Sequence, residues 1–111
     1  MESITLSQAL PAEADRYDLK EGVEFAITGI IIINHEGKNG LKWDSANING
    51  LSLPDGSDFV KYKTGSGVVV KQCKDLLVAA CYSSGECKKP VRVRVAGRDG
   101  QNGRYLILED A

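Results

Sequence analysis

The side chains best placed for chemistry in this chain are cations and flat rings on alternating segments. In Phe59-Val60-Lys61-Tyr62-Lys63-Thr64 the two lysines share one side of an extended run, and Val60 and Tyr62 take the other. Like charges so placed repel unless an anion or an acidic side chain lies across from them. A phosphate is one such partner; Glu24 or Asp44 on an adjacent strand, or plain solvation, are the alternatives. Phe59 shares the lysine side and can stack, whereas strict alternation turns Tyr62 inward. Trp43, the one tryptophan, stands between Lys42 and Asp44. It reads either as a stacking platform or as a core or barrel-end residue, because tryptophan is highly buried on average. Together with Lys38, Arg98 and Arg104, the residues Lys42, Trp43, Phe59, Lys61, Tyr62 and Lys63 make a set suited to single-stranded nucleic acid. Such a ligand needs a cationic track for phosphates and rings for bases, each stacked base contributing about 1–3 kcal/mol. Arg92 and Arg94, preceded by Lys88 and Lys89, repeat the two-lysine pattern but read as a solvated barrel exterior.

Catalytic chemistry finds little support. His35 lies in a glycine-rich turn without a Ser or Cys partner, and Asp55 and Asp58 are of the kind that cap turns. Gly65-x-Gly67 lacks the third glycine and the strand-to-helix setting of a dinucleotide site. Neither a phosphate-loop lysine pattern nor a zinc-protease helix is present. Cys73, Cys81 and Cys87 are odd in number and contain no C-x-x-C pair, so reduced thiols are expected rather than a disulfide framework or a metal site. Cys73 is expected to face the core and Cys87 to lie in a loop. The expectation is a non-enzyme with no metal and no cofactor.

The elements that must position these residues follow from periodicity. Residues 3–10 suit a short helix with Ser3 as cap, stopped by Pro11, and residues 11–21 read as a linker or extended arm. Val23 to Asn34 alternates as a strand, with Gly29 marking a bulge or bend. Residues 35–40 form a turn, and 41–48 a second strand carrying Trp43. Asn49 to Asp58, with Asn-Gly, Pro and Asp-Gly, reads as a loop. Residues 59–64 form a third strand. A helix is expected over 68–81, capped by Ser66, with Val69, Cys73, Leu76, Leu77 and Ala80 on its apolar face. Residues 82–90 read as a loop, 91–95 as a strand, 96–103 as a hairpin loop and 104–108 as a closing strand before a frayed acidic end. The order is β-β-β-α-β-β, which is that of the OB-fold. The expected architecture is mainly β: a five-stranded OB-like Greek-key barrel over 22–110, with a short N-terminal helix or arm over 1–21. A half-open β-roll and an α+β sandwich are the alternatives.

With 111 residues, 42% of them hydrophobic, the chain can close one core without staples. Its net charge of −1 hides an asymmetry. Residues 1–58 hold four basic groups against ten acidic ones, a balance of −6; residues 59–108 hold ten against three, a balance of +7. The basic half could meet phosphates, or the halves could neutralise each other once the strands interleave. The longest apolar stretch, Ile30 to Ile33, is too short to span a bilayer. Met1-Glu2-Ser3-Ile4-Thr5 has neither the basic leader nor the apolar run of a signal peptide. A cytoplasmic location without membrane contact is therefore expected.

Three segments also carry a resemblance: Tyr62-Lys63-Thr64-Gly65-Ser66 leading into a helix with Gln72, then Pro90-Val91-Arg92-Val93-Arg94-Val95, then Gly103-Arg104-Tyr105-Leu106-Ile107-Leu108. They resemble the "Y-x-T-x-S", "P-V-x-V-x-V" and "G-R-Y-L-x-L" patterns of OB-type single-stranded-DNA-binding proteins of phage and mobile-element replication modules. The likeness covers the second half of the chain. It implies a largely sequence-independent binder of single-stranded DNA rather than RNA, acting in replication or recombination in a host cytoplasm. The rival expectation is a β-barrel assembly module that pairs with a protein or with itself as a homo-oligomer, driven by the opposed charges of its two halves.

Overall fold

A computed structural model describes residues 16–111. Its elements are β1 (Tyr17–Asp18), β2 (Glu24–Glu36), β3 (Lys42–Ser52), β4 (Phe59–Thr64), α1 (Gly67–Ala80), β5 (Glu86–Gly100) and β6 (Gly103–Asp110). The strands form one sheet in the order β1-β4-β3-β2-β5-β6. All neighbours are antiparallel except β1, which runs parallel to β4.

The sheet curls because β2 is bent in its middle. Phe25 and Ile27 point inward, and a register shift between Ile27 and Gly29 then resets the phase. Ile30 continues the buried row in consequence, while Ile31 turns outward. Without the bulge the period of two would send Ile30 to solvent. Gly50 sits across from Ile27 at this bend, where a Cβ would collide with the Ala26 carbonyl and the Phe25 ring. The result is a half-barrel wrapped around Phe25, Ile27, Ile30, Ile48, Val69, Cys73 and Val95.

Helix α1 lies across the open side. Val69, Val70 and Cys73 are buried, and Leu76 and Leu77 pack against the same cluster. Ser66 takes the N-cap position but makes no side-chain cap bond. Its hydroxyl instead donates to the Leu106 carbonyl at 3.4 Å. Gln72 makes two bonds to Leu108, donating to its carbonyl and accepting from its amide, both at 2.9 Å. The helix thus occupies the place of a strand that would join β4 to β6.

Several expectations change. The chain forms a curled half-barrel of six strands, not a closed barrel of five. The 3–10 helix falls outside the described residues. Residues 16–21, read as part of an arm, carry β1 and place Leu19 in the core at 6% exposure. β3 runs on to Ser52, so the loop shrinks to 53–58. The segment 91–95 is only the middle of β5, which begins at Glu86 and takes in most of the expected loop. The expected 96–103 loop is a tight connection through Gln101 and Asn102. Cys87 is buried on β5, its Sγ 3.3 Å from that of Cys81. The acidic end is not frayed, because Glu109 pairs in register with Arg94 and is held by Arg94 and Arg98.

Candidate functional site

In an antiparallel pair, residues directly opposite each other share a face. The register therefore sorts the side chains of β2, β3 and β4. Ile48, opposite Ile30 and Tyr62, belongs to the core. The other face carries successive rows: His35 with Trp43, Ile33 with Ser45, Ile31 with Asn47 and Lys63, and Asn49 with Lys61. Leu51 and Phe59 complete it. From Trp43 to Leu51 the platform is about 27 Å long at the usual rise per residue.

Its two rings stand open. Phe59 is 86% exposed and Trp43 48%. The Trp43 ring is held by His35, stacked at 5.2 Å between centroids and 10° between planes. Contrary to the expectation of a turn histidine without a serine partner, His35 lies on β2 and is fixed by a 2.8 Å hydrogen bond between its Nε2 and Ser45 Oγ. Of the two readings of Trp43, the structure selects a surface ring on a rigid backing. Beside Phe59 lies a cleft of about 400 Å³, bounded by Leu51, Asn49 and Ile31 on one side and the Ser84–Glu86 turn on the other. A larger groove of about 510 Å³ runs between α1 and β5–β6. Its lining sets Asp75, Glu109 and Asp110 against the single cation Arg92, an acidic balance that does not favour a phosphate.

Lys61 and Lys63 make no ion pair among the described residues. The acids considered as their partners are engaged elsewhere: Asp44 by Lys74 at 2.5 Å, and Glu24 by Arg94 at 3.8 Å. Asp18 stands opposite Lys63 in the register without closing an ion pair. No outward position of β2 from Gly29 to His35, of β3 from Trp43 to Leu51, or of β4 from Phe59 to Lys63 holds an acid.

Comparison with known proteins adds no relative. No protein-family model, no curated protein and no solved structure matches the chain.

The structure brings Trp43, Phe59, Lys61 and Lys63 onto one surface. Lys42 starts β3 opposite Glu36, and Lys38 sits in the turn before it, so both lie at the tip of the β2–β3 hairpin. Tyr62 is turned the other way: its ring packs on Phe25 at 4.9 Å, and burial raises its pKa. It supports the platform from beneath and offers no stacking face. Arg98 and Arg104 are separate from the platform and neutralised. Arg98 bonds to Glu109 at 2.7 Å, and Arg104 bonds to Glu21 and to Asp99. These contacts hold the Glu21 and Glu109 carboxyls below their ordinary pKa and raise that of Arg104.

Sequence reasoning missed Asn47, Asn49 and Arg16. The alternation of Ala46 and Ile48 with Ser45, Asn47 and Asn49 was the available signal, obscured by Asn49-Gly50, which reads as a turn. Arg16 donates to Asn49 Oδ1 at 2.9 Å and to the Tyr62 carbonyl at 3.4 Å. It adds a cation beside Lys61 and fixes the Asn49 amide, leaving its NH2 free to donate.

Proposed function

We propose that this domain binds single-stranded nucleic acid, DNA in preference to RNA, on the outer face of β2–β3–β4 and largely without regard to sequence. The observation that carries this is the pairing of two exposed rings with two lysines that make no ion pair among the described residues, on outward positions of β2, β3 and β4 that hold no acid between Gly29 and His35, Trp43 and Leu51, and Phe59 and Lys63. Phosphates would lie along Lys61 and Lys63, with Arg16 alongside, and bases would stack on Phe59 and Trp43. Asn47 and Asn49 add amide donors on the same face, and stacking on rings tolerates any base. The sheet order supports an OB-type identity: β4-β3-β2-β5-β6 is the pairing of an OB barrel whose third and fifth strands have not met, with the helix in the gap. The OB face that binds oligonucleotides spans the second and third strands, here β3 and β4. The resemblance of residues 59–110 favours a role in phage or mobile-element DNA replication.

The test is Trp43 fluorescence during titration with short oligo-dT at low salt, repeated with oligo-rU and as salt rises. Quenching that salt reverses is expected. Each phosphate contact contributes about 0.7 to the slope of log affinity against log salt for a single strand. Lys61→Ala with Lys63→Ala should therefore flatten the slope by about 1.4. Phe59→Ala should cost about 1–3 kcal/mol of binding while leaving the melting temperature unchanged. An affinity indifferent to salt and to all three changes would refute the reading.

A further inference from the structure

The basic residues of the second half divide by what they touch. Arg94, Arg98, Arg104 and Lys74 are all held by carboxylates. Arg92, Lys88 and Lys89 make no ion pair among the described residues, and all three are exposed. The acids around Arg92 leave it alone. Glu24 and Glu109 are committed to Arg94 and Arg98, and neither Glu86 nor Asp110 pairs with it.

The register places Arg92 on the same face as the proposed platform. Phe59 on β4 stands opposite Leu51 on β3, Leu51 opposite Ala26 on β2, and Ala26 opposite Arg92 on β5. The flanking Val91 and Val93 turn to the core side. One row thus crosses four strands from an exposed ring to a free guanidinium, a span of about 14 Å at the usual strand spacing. Between them lie only the small Ala26 and the apolar Leu51. The Phe59 cleft, walled by the Ser84–Glu86 turn, lies beside this row, and Lys88 and Lys89 follow that turn. Lys88 is steadied by Tyr82, its Nζ 5.8 Å from the ring centroid.

We propose that the bound strand does not stop at β4 but continues across β2 onto β5, where Arg92 holds a further phosphodiester. This rests on the binding reading above and adds its direction: the chain runs across the sheet, stacking a base on Phe59 between the Lys61 and Arg92 phosphate contacts. A guanidinium is suited to the task, since its planar fork meets two phosphate oxygens at once.

The experiment is the salt dependence of oligo-dT binding by fluorescence anisotropy, for the full chain and for Arg92→Ala, Arg92→Lys, Lys74→Ala and the Lys61→Ala/Lys63→Ala pair. Arg92→Ala should reduce the log–log slope by about 0.7, and Arg92→Lys, which keeps the charge, should restore it. Lys74→Ala, which loses a cation already bound to Asp44, should leave the slope at the starting value. Matching thermal melts establish that each variant is folded. If Arg92→Ala keeps the full slope while the lysine pair loses its share, the strand is confined to β3 and β4 and the proposal is wrong. If the unaltered chain does not bind at all, the binding reading itself fails and this extension falls with it.

Discussion

Trp43 and Cys73 show how differently this fold treats two kinds of side chain. Trp43 is kept at the surface, and its rotation is restrained by the stacked His35 ring. Cys73 is fully enclosed between α1 and the sheet, and burial pushes its thiol up to about 12. That shift has a consequence for stability. In the unfolded chain the thiol ionises near pH 8.5, whereas the native state keeps its proton until far higher. Between these values the unfolded state binds fewer protons, so stability falls as pH rises. The loss from this thiol is about 1.4 kcal/mol per pH unit above the unfolded value. Urea unfolding between pH 8.5 and about 10 should show it as about 2 kcal/mol of lost stability, and Cys73→Ala should lose correspondingly less over the same interval. An equal loss in both would show that Cys73 ionises as readily folded as unfolded.

At the scale of elements, the joint between α1 and β6 decides how the half-barrel is closed. An edge strand leaves unpaired backbone groups, and a buried unpaired group costs about 1–3 kcal/mol. Gln72 satisfies both the amide and the carbonyl of Leu108, and Ser66 satisfies the carbonyl of Leu106. Gln72→Ala should therefore destabilise the domain by about 1–3 kcal/mol in urea unfolding. It should also speed hydrogen exchange at the Leu108 amide more than elsewhere on β6. Exchange at Leu108 unchanged by the substitution would mean that neighbouring groups or water replace the glutamine without cost. This joint was only half legible in the sequence. The helix stood out through Val69, Cys73, Leu76 and Leu77, and β4 through its alternation, because each element carries its own period. Gln72 could be seen on the helix, but its partner on a distant strand could not. The strands β3 and β5 were cut short in reading because Asn49-Gly50, Pro90 and Gly97 look like punctuation. In the sheet, Gly50 serves a close approach of strands, and Gly97 lies against the flexible ends of Arg104 and Glu21. Of the site, the lysines and rings were legible as types; their shared face depended on the register of β3, which local patterns do not encode.

At the scale of the molecule, the division into an acidic first half and a basic second half is partly cancelled by ion pairs among the described residues. Glu21, Glu24 and Asp44 from the first half meet Arg104, Arg94 and Lys74 from the second. These pairs are exposed and add little to stability, but they reduce the opposed charge that would draw one copy toward another. Among the described residues, Asp75 and Asp110, in no ion pair, keep the groove between α1 and β5–β6 acidic, while Arg16, Lys61, Lys63 and Arg92, also in none, gather toward one face. Copies presenting that face repel each other. Edge pairing is also restricted among the described residues. β1 offers only two residues, and the β6 edge is partly occupied by Ser66 and Gln72 from α1. An exposed edge would otherwise be a template for another chain. The expected behaviour is a monomer in sedimentation equilibrium at low salt and high concentration, with assembly only when a long single strand brings copies side by side. A concentration-dependent dimer that forms without nucleic acid and dissociates as salt is added would reverse this. It would show that uncancelled opposite charges meet between copies, and would favour the assembly module over the nucleic-acid binder.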